Sequence, residues 1–450
     1  MFISMGPATR HEGLRLAPGG GLGHPTSEVG AGRGRPDRTG RVGQLGALLA
    51  GAGALYLVVS DGAPGWRVVR GLAVALVTAL VARALGDPGP RSRAVAWLVV
   101  LAGGVATAAG VGIAVPAVDG GAVTAAGVAG VLLTVGGLVL VLVAALRASR
   151  DLRLWTRALT WIGVVVLVVL CLSTVGQAVA ATNVPGTDVG DETPADRGLE
   201  FSDVRVRTDD GIELAGWYVP SENGAAVVLR HGAGSTRSDV LDHAAVLGSN
   251  GYGVLAIDAR GHGDSGGRAM DFGWYGDADI AAAVSFLEGR PEVDDGGIAV
   301  VGMSMGGEEA IGALATDERI AAVVAEGVGQ RVAADKEWLV ERYGWRGRVQ
   351  VAADRVMYGL TDLLTAADPP IPLADAVNAA APRPVLVIAG GAEHDEPEVA
   401  AHLVAASPGN VEQWVVAGAG HIGGLRAEPA EWERRVVAFL DEATAREPGS

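Results

Sequence analysis

Two patterns of apolar residues divide this chain. Up to residue 187, long uncharged apolar runs alternate with short basic connections, whereas beyond residue 200 short apolar runs alternate with amphipathic ones. The long runs cover 42–60, 94–118, 120–146 and 158–187. Each meets the roughly 18–20 residues needed to cross the hydrocarbon core as a helix. A fifth stretch, 68–85, carries Arg70 and Arg83 near its ends, where long side chains snorkel, and reads as a further span or as a buried helix. Gly and Ala are abundant throughout, which predicts close helix packing; Gly136-Gly137 is such a feature and not a phosphate loop. The pattern predicts an all-α membrane domain of about five helices over 42–182.

Beyond residue 200 the period changes. Strand-like 204–208 and 212–219 flank Asp209-Asp210-Gly211, a hairpin signal. Strand-like 225–230, 253–258, 298–301, 320–325, 384–389 and 411–416 then alternate with helix-like segments at 236–250, 277–287, 307–314 and 429–443. Such alternation predicts an α/β domain over 201–445, with a mostly parallel sheet covered on both faces and its site at the C-terminal strand ends. Residues 328–381 interrupt the alternation and are too long for a plain connection. They carry Trp338, Tyr343, Trp345 and Tyr358 in helix-compatible sequence.

Composition sharpens the division. Residues 1–187 hold 15 basic and 7 acidic residues, and the remainder 20 basic and 44 acidic, so two environments are expected. Residues 1–41 are Gly-, Pro- and Arg-rich without periodicity and read as a disordered tail; 183–200 read as a linker. A signal peptide is not expected, because the first long apolar run begins at Val42 and others follow it. Arginines cluster before the first run, around Arg83, Arg91 and Arg93, and again at Arg147, Arg150, Arg153 and Arg157, on alternate connections. That predicts a cytoplasmic N-terminus and, with five spans, an extracytoplasmic second half. The lone Cys171 falls in the fifth run and excludes an internal disulfide.

The most specific chemistry lies at Gly302-Met303-Ser304-Met305-Gly306, between a strand-like and a helix-like segment. G-x-S-x-G in that context is a nucleophile elbow: a turn so tight that the serine takes strained angles while flanking glycines let strand and helix approach. Ser304 is thereby placed at a helix N-terminus, where unpaired N–H groups stabilise an oxyanion. An acid and then a histidine should follow. His421, in the glycine-rich loop 418–424, is the candidate base. After 384–389 come Gly390-Gly391-Ala392-Glu393-His394-Asp395-Glu396-Pro397; Glu393 and Asp395 are the candidate acids, with Glu326 at the preceding strand end as a third.

These motifs resemble the α/β-hydrolase family, over roughly residues 201–440. Val227-Val228-Leu229-Arg230-His231-Gly232-Ala233-Gly234 is similar to its strand ending in His-Gly-x-Gly, and Asp258-Ala259-Arg260-Gly261-His262-Gly263-Asp264-Ser265 to its D-x-R-G-H-G-x-S. The resemblance implies an α/β-hydrolase fold and an oxyanion hole from the backbone N–H groups of Ala233 and Met305. It also makes His231 and His262 scaffold residues. The family's G-x-x-D with a later proline, laid on Gly390 and Pro397, puts Glu393 at the acid and leaves Asp395 as competitor. An insertion at 328–381 implies a helical lid. The expected function is a membrane-anchored serine hydrolase cleaving an ester, thioester or amide through an acyl-enzyme on Ser304. Gly306-Gly307 also resembles prolyl-oligopeptidase-type peptidases, and acyl transfer would use the same groups. An inactive receptor or scaffold, and transport through the bundle, are the non-enzymatic alternatives. The expected partners are a small acyl or peptide substrate and the lipid bilayer, with no nucleic acid. No metal or organic cofactor is expected.

Overall fold

The computed structural model describes residues 38–60, 64–86, 93–119, 124–183 and 187–445. The expected tail therefore lies outside the described residues except for its last four, which form the first turn of helix α1 (Arg38–Ser60). Helices α2 (Pro64–Gly86), α3 (Arg93–Asp119), α4 (Ala125–Ser149) and α5 (Leu154–Cys171) follow, and α5 passes through a π turn, Leu172–Gly176, into α6 (Gln177–Asn183). Each of the five apolar stretches is thus a helix, the last being α5 and α6 together. Among the described residues, Arg93–Pro116, Ala125–Ser149 and Leu154–Asn183 are long and apolar enough to cross a membrane, and α2 contains a shorter apolar helix, Val74–Leu85.

Small residues set how closely these helices pack. Where α3 crosses α4, a Cβ on Gly137 would lie 2.5 Å from Thr107 N and 2.6 Å from Gly103 O, and one on Gly103 would lie 2.8 Å from Gly137 O. Where α1 crosses α4, a Cβ on Gly136 would sit 2.5 Å from Ala50 N. Backbone meets backbone at both crossings, as the glycine content predicts. Large apolar side chains instead point outward, among them Leu45, Leu48, Leu72, Leu76, Leu98, Leu159 and Ile162.

The second half forms one eight-stranded sheet in the order β1-β2-β4-β3-β5-β6-β7-β8. Its strands are β1 (Ser202–Arg207), β2 (Glu213–Val219), β3 (Ala226–Arg230), β4 (Gly253–Ile257), β5 (Ile298–Met303), β6 (Ala322–Glu326), β7 (Val385–Gly390) and β8 (Val411–Val416). The β1–β2 hairpin is antiparallel and pairs antiparallel with β4; all later pairings are parallel. Side chains alternate between two buried faces. Val228 and Val300 join a core with residues of α8 (Gly276–Glu288), α9 (Met305–Thr316), α12 (Leu373–Ala380) and α13 (Glu396–Ala406). Val227 and Val301 join the opposite core with residues of α7 (Leu241–Ser249) and α15 (Pro429–Thr444), around the fully buried Trp432.

Two expected boundaries move. Within 328–381, α10 (Trp338–Tyr343) and α11 (Trp345–Leu364) form the excursion, whereas α12 packs on α9 as an ordinary crossover helix, because Leu373, Ala376, Val377 and Ala380 form a buried stripe. The expected linker is also docked from residue 187 onward: Thr187 Oγ1 donates to Gly234 O at 2.9 Å and Gly190 N to Ser238 Oγ at 2.9 Å. A short helix, α14 (Gly424–Ala427), precedes α15.

The glycine crossings predict an asymmetry. Gly137→Ala should lower the thermal unfolding midpoint of the detergent-solubilised protein, because its Cβ has no space. Gly359→Ala, on α11 with nothing within 4 Å, should leave the midpoint unchanged or raise it, since alanine gains up to about 1 kcal/mol over glycine inside a helix.

Candidate active site

Strand β5 ends at Met303, α9 begins at Met305, and Ser304 alone makes the turn with φ 53° and ψ −122°. A non-glycine residue in that region costs on the order of 1–3 kcal/mol and persists only where its surroundings hold it. Three contacts do so. Ser304 N donates to Glu326 O at 2.7 Å. A Cβ on Gly302 would collide with the Gly306 carbonyl, and one on Gly306 would lie 2.6 Å from His231 O. Beneath the turn, buried Arg230 donates through Nε to Glu309 Oε2 at 2.9 Å and ties β3 to α9.

His421 Nε2 lies 2.9 Å from Ser304 Oγ, and its Nδ1 lies 2.6 Å from Glu396 Oε1. Glu396 Oε2 accepts from Gly390 N at 2.8 Å, so the carboxylate is fixed between the end of β7 and the imidazole. This corrects the expected acid. Glu393 is close by, but its Oε1 accepts from the His421 backbone N at 3.0 Å and not from the ring. Asp395 is exposed at the N-cap of α13 and is not brought to the imidazole. Glu326, the third candidate, is buried; Oε1 accepts from Gly424 N at 2.6 Å and Oε2 from Trp432 Nε1 at 3.0 Å. It anchors the histidine loop to α15. Gly390 starts a turn three residues longer than the register assumed, which brings Glu396, at the first position of α13, to the imidazole. The one local signal was Pro397, a residue common in a helix's first turn and adjacent to the carboxylate that meets the ring.

The loop carrying His421 is itself constrained. Ile422 has φ 47°, an outlier for a β-branched residue, and a Cβ on Gly327 would lie 3.1 Å from the imidazole Nδ1. The hydrogen bond that His421 donates to Glu396 is the main cause that raises its pKa above the usual value; partial burial opposes it, and the charges of Glu396, Glu393 and Glu308 add to it. Glu308, on the first turn of α9, is pushed up to about 7 by burial, although its Oε1 accepts from Gly329 N and Gln330 N, both at 2.8 Å. Sequence reasoning did not single out Glu308.

Gly232 lies against Ser304, since a Cβ there would be 3.1 Å from Ser304 Cβ. Ala233 is thus at the mouth of the site and Met305 opens α9, in the first turn, where N–H groups lack intrahelical acceptors. His231 Nε2 accepts from Ala259 N at 2.8 Å, and His262 Nε2 from Gly234 N at 3.2 Å. Both rings are buried, which lowers their pKa values, and both act as neutral braces between the ends of β3 and β4. Beside His421 a cavity of about 660 Å³ runs under α10 and the start of α11, walled by Val328, Trp338, Leu339, Tyr343 and Val399 with Lys336 and Arg346 at polar points. Among the described residues no three His, Cys, Asp or Glu side chains are placed to hold a metal ion.

Several known proteins are similar to this chain. The family described as serine aminopeptidase, S33, matches residues 221–348. An uncharacterized protein of Mycobacterium tuberculosis is 35% identical over 223 residues, covering 49% of this chain and 72% of that protein. A thiohydrolase of Aspergillus aculeatus is 35% identical over 128 residues, 28% of this chain and 40% of its own length. Among solved structures, an esterase of Pyrococcus furiosus is similar at 27% identity and a TM-score of 0.48, covering 59% of this chain and 99% of its own. The chain belongs to the α/β-hydrolase family and is a hydrolase.

The two glutamates that touch His421 differ in expected effect. Glu396→Gln should cut kcat by an amount approaching the ~10⁴ loss found when a triad carboxylate is neutralised. Glu393→Gln keeps an acceptor for His421 N and should stay within about tenfold. Because the Glu396 contact raises the His421 pKa and catalysis needs the neutral ring, kcat/KM should fall on acidification at a pH above that of an ordinary histidine. In Glu396→Gln the acid limb should move to lower pH. A pH–rate profile of the three proteins on one ester checks both points.

Proposed function

We propose that this protein is a membrane-anchored serine hydrolase that cleaves an ester or thioester through an acyl-enzyme on Ser304. The observation that carries the proposal is the continuous chain Ser304 Oγ–His421–Glu396, with contacts of 2.9 and 2.6 Å. In the proposed step His421 Nε2 takes the serine proton as Oγ attacks the carbonyl carbon, and Glu396 holds Nδ1–H and stabilises the imidazolium. The negative charge moves to the carbonyl oxygen, which Ala233 N–H and Met305 N–H would bind, each such donor contributing about 3–4 kcal/mol. His421 then protonates the leaving alcohol or thiol. Water, activated by the same imidazole, releases the acid. A relative in a Penicillium species, named a polyketide transferase, is 34% identical over 131 residues and favours a second outcome in which an alcohol accepts the acyl group.

Ser304→Ala should abolish ester turnover and labelling by a fluorophosphonate, since loss of a triad nucleophile costs on the order of 10⁶ in kcat. Purified Ser304→Ala protein that still hydrolyses a graded panel of acyl esters would overturn the assignment. Aminoacyl amides in the same panel separate esterase from aminopeptidase action.

Five spans are proposed, with residues before Arg38 in the cytoplasm and the hydrolase domain outside. Support comes from the arginines on alternate connections and from outward leucines on α1 and α2 as well as on α3 and α5. Protease added to intact cells, or to spheroplasts, should digest the hydrolase domain while a tag at residue 1 stays protected. Protection of the domain would reverse the topology and leave the chemistry untouched.

A further inference from the structure

Helix α11 is apolar on two opposite faces. Val351, Met357 and Tyr358 are buried, and Tyr358 lies in a cluster with Ala178 of α6, Trp274 and Met357. On the other side Trp345, Val349, Val356 and Leu363 are 68%, 56%, 54% and 71% exposed. Their spacings of four, seven and seven residues put them within about 40° of one another around a 3.6-residue helix. Exposed Ala352 and Gly359 continue the stripe, Arg346, Arg348 and Arg355 flank it, and Asp362 is the only exposed acid on α11. Arg355 pairs with Glu337 at 2.7 Å, whereas Arg346 and Arg348 form no ion pair among the described residues.

The last span shows what this stripe meets. Leu154–Asn183 is 30 residues, or about 45 Å at 1.5 Å per residue, against a hydrocarbon core of about 30 Å. Arg153 and exposed Trp155 mark the interface at which it enters. Its outward residues are apolar through Val165, Val166, Val169 and Leu170 and then become polar at Ser173 and Gln177. Helix α11 packs on the segments Leu172–Gly176 and Gln177–Asn183, starting where that change occurs. An apolar stripe flanked by arginines, held at the level where a span leaves the hydrocarbon, has the pattern of a helix lying in the headgroup layer.

We propose that the outward face of α11 is seated in the headgroup layer of the bilayer that the chain's own helices cross. The turn that begins this helix, with Tyr343, Arg346 and Gly347, also lines the cavity beside His421, so the cavity would take an amphiphilic ester directly from the membrane. This rests on the membrane-spanning reading above.

The test uses full-length protein with Cys171→Ala, reconstituted in nanodiscs of phosphatidylcholine and phosphatidylglycerol. Single cysteines replace Val349, Val356 or Leu363, Ile162 in α5, or Glu442 in α15, and each carries an environment-sensitive fluorophore. Lipids spin-labelled near the headgroup should quench the three α11 positions, lipids labelled deep in the acyl chain should quench Ile162, and neither should quench Glu442. Unquenched α11 labels with Ile162 quenched would overturn the docking and leave the spans standing; an unquenched Ile162 would overturn both. In parallel, the triple variant Val349→Glu, Val356→Glu, Leu363→Glu should lose at least about tenfold in turnover of a long-chain ester carried in the same lipids, while hydrolysis of a water-soluble short-chain ester is unchanged. Equal loss on both esters, or no loss on either, would overturn the proposal.

Discussion

The peptide at Ser304 is the constraint on which the rest of the site depends. An L-residue at φ 53° and ψ −122° relaxes unless it is held, and it is held by the Glu326 carbonyl on one side and by two glycines that leave no room for Cβ atoms. The same turn points Oγ out of the sheet toward His421 and starts α9 at the next residue. Its geometry therefore places the Ser304 hydroxyl and the N-terminus of α9 at once. Glu326 takes part twice: its carbonyl accepts from Ser304, while its carboxylate holds Gly424 and Trp432 behind the histidine loop.

Four glutamates organise the remainder. Glu393, Glu396 and Glu326 each fix a different atom of the segment from His421 to Gly424, and Glu308 fixes the backbone at 329–330 that lines the cavity. Burial raises the pKa values of Glu308 and Glu326, whereas the imidazole is raised by its hydrogen bond to Glu396. Glu396, Glu393 and Glu308 thus favour the protonated imidazole.

The helical first half and the sheet-based second half meet through few elements. Phe272, Trp274 and Tyr358 cluster with Ala178 at the end of the long helix, and Asp271 and Phe272 there have φ of 47° and 51°. The excursion α10–α11 therefore has the cavity on one side and the bundle's end on the other.

Much of this was legible in the sequence because the informative features are local. Apolar run length identified the helices, a period of two or of 3.6 separated strands from helices, and two glycines around Ser304 determine the elbow whatever lies beyond it. His421 followed from its order in the chain and its glycine-rich loop. The acid was not legible. Glu393, Asp395 and Glu396 lie within four residues of one loop, and all three have the same chemistry. Only the path from the end of β7 into α13, closed by Gly390 N on Glu396, decides which carboxylate turns to the ring. The roles of α11 and α12 were likewise decided by tertiary structure. Both read as helical, but one has its stripe buried against α9 while the other keeps an apolar face outward, because burial belongs to the neighbours of a helix and not to its sequence.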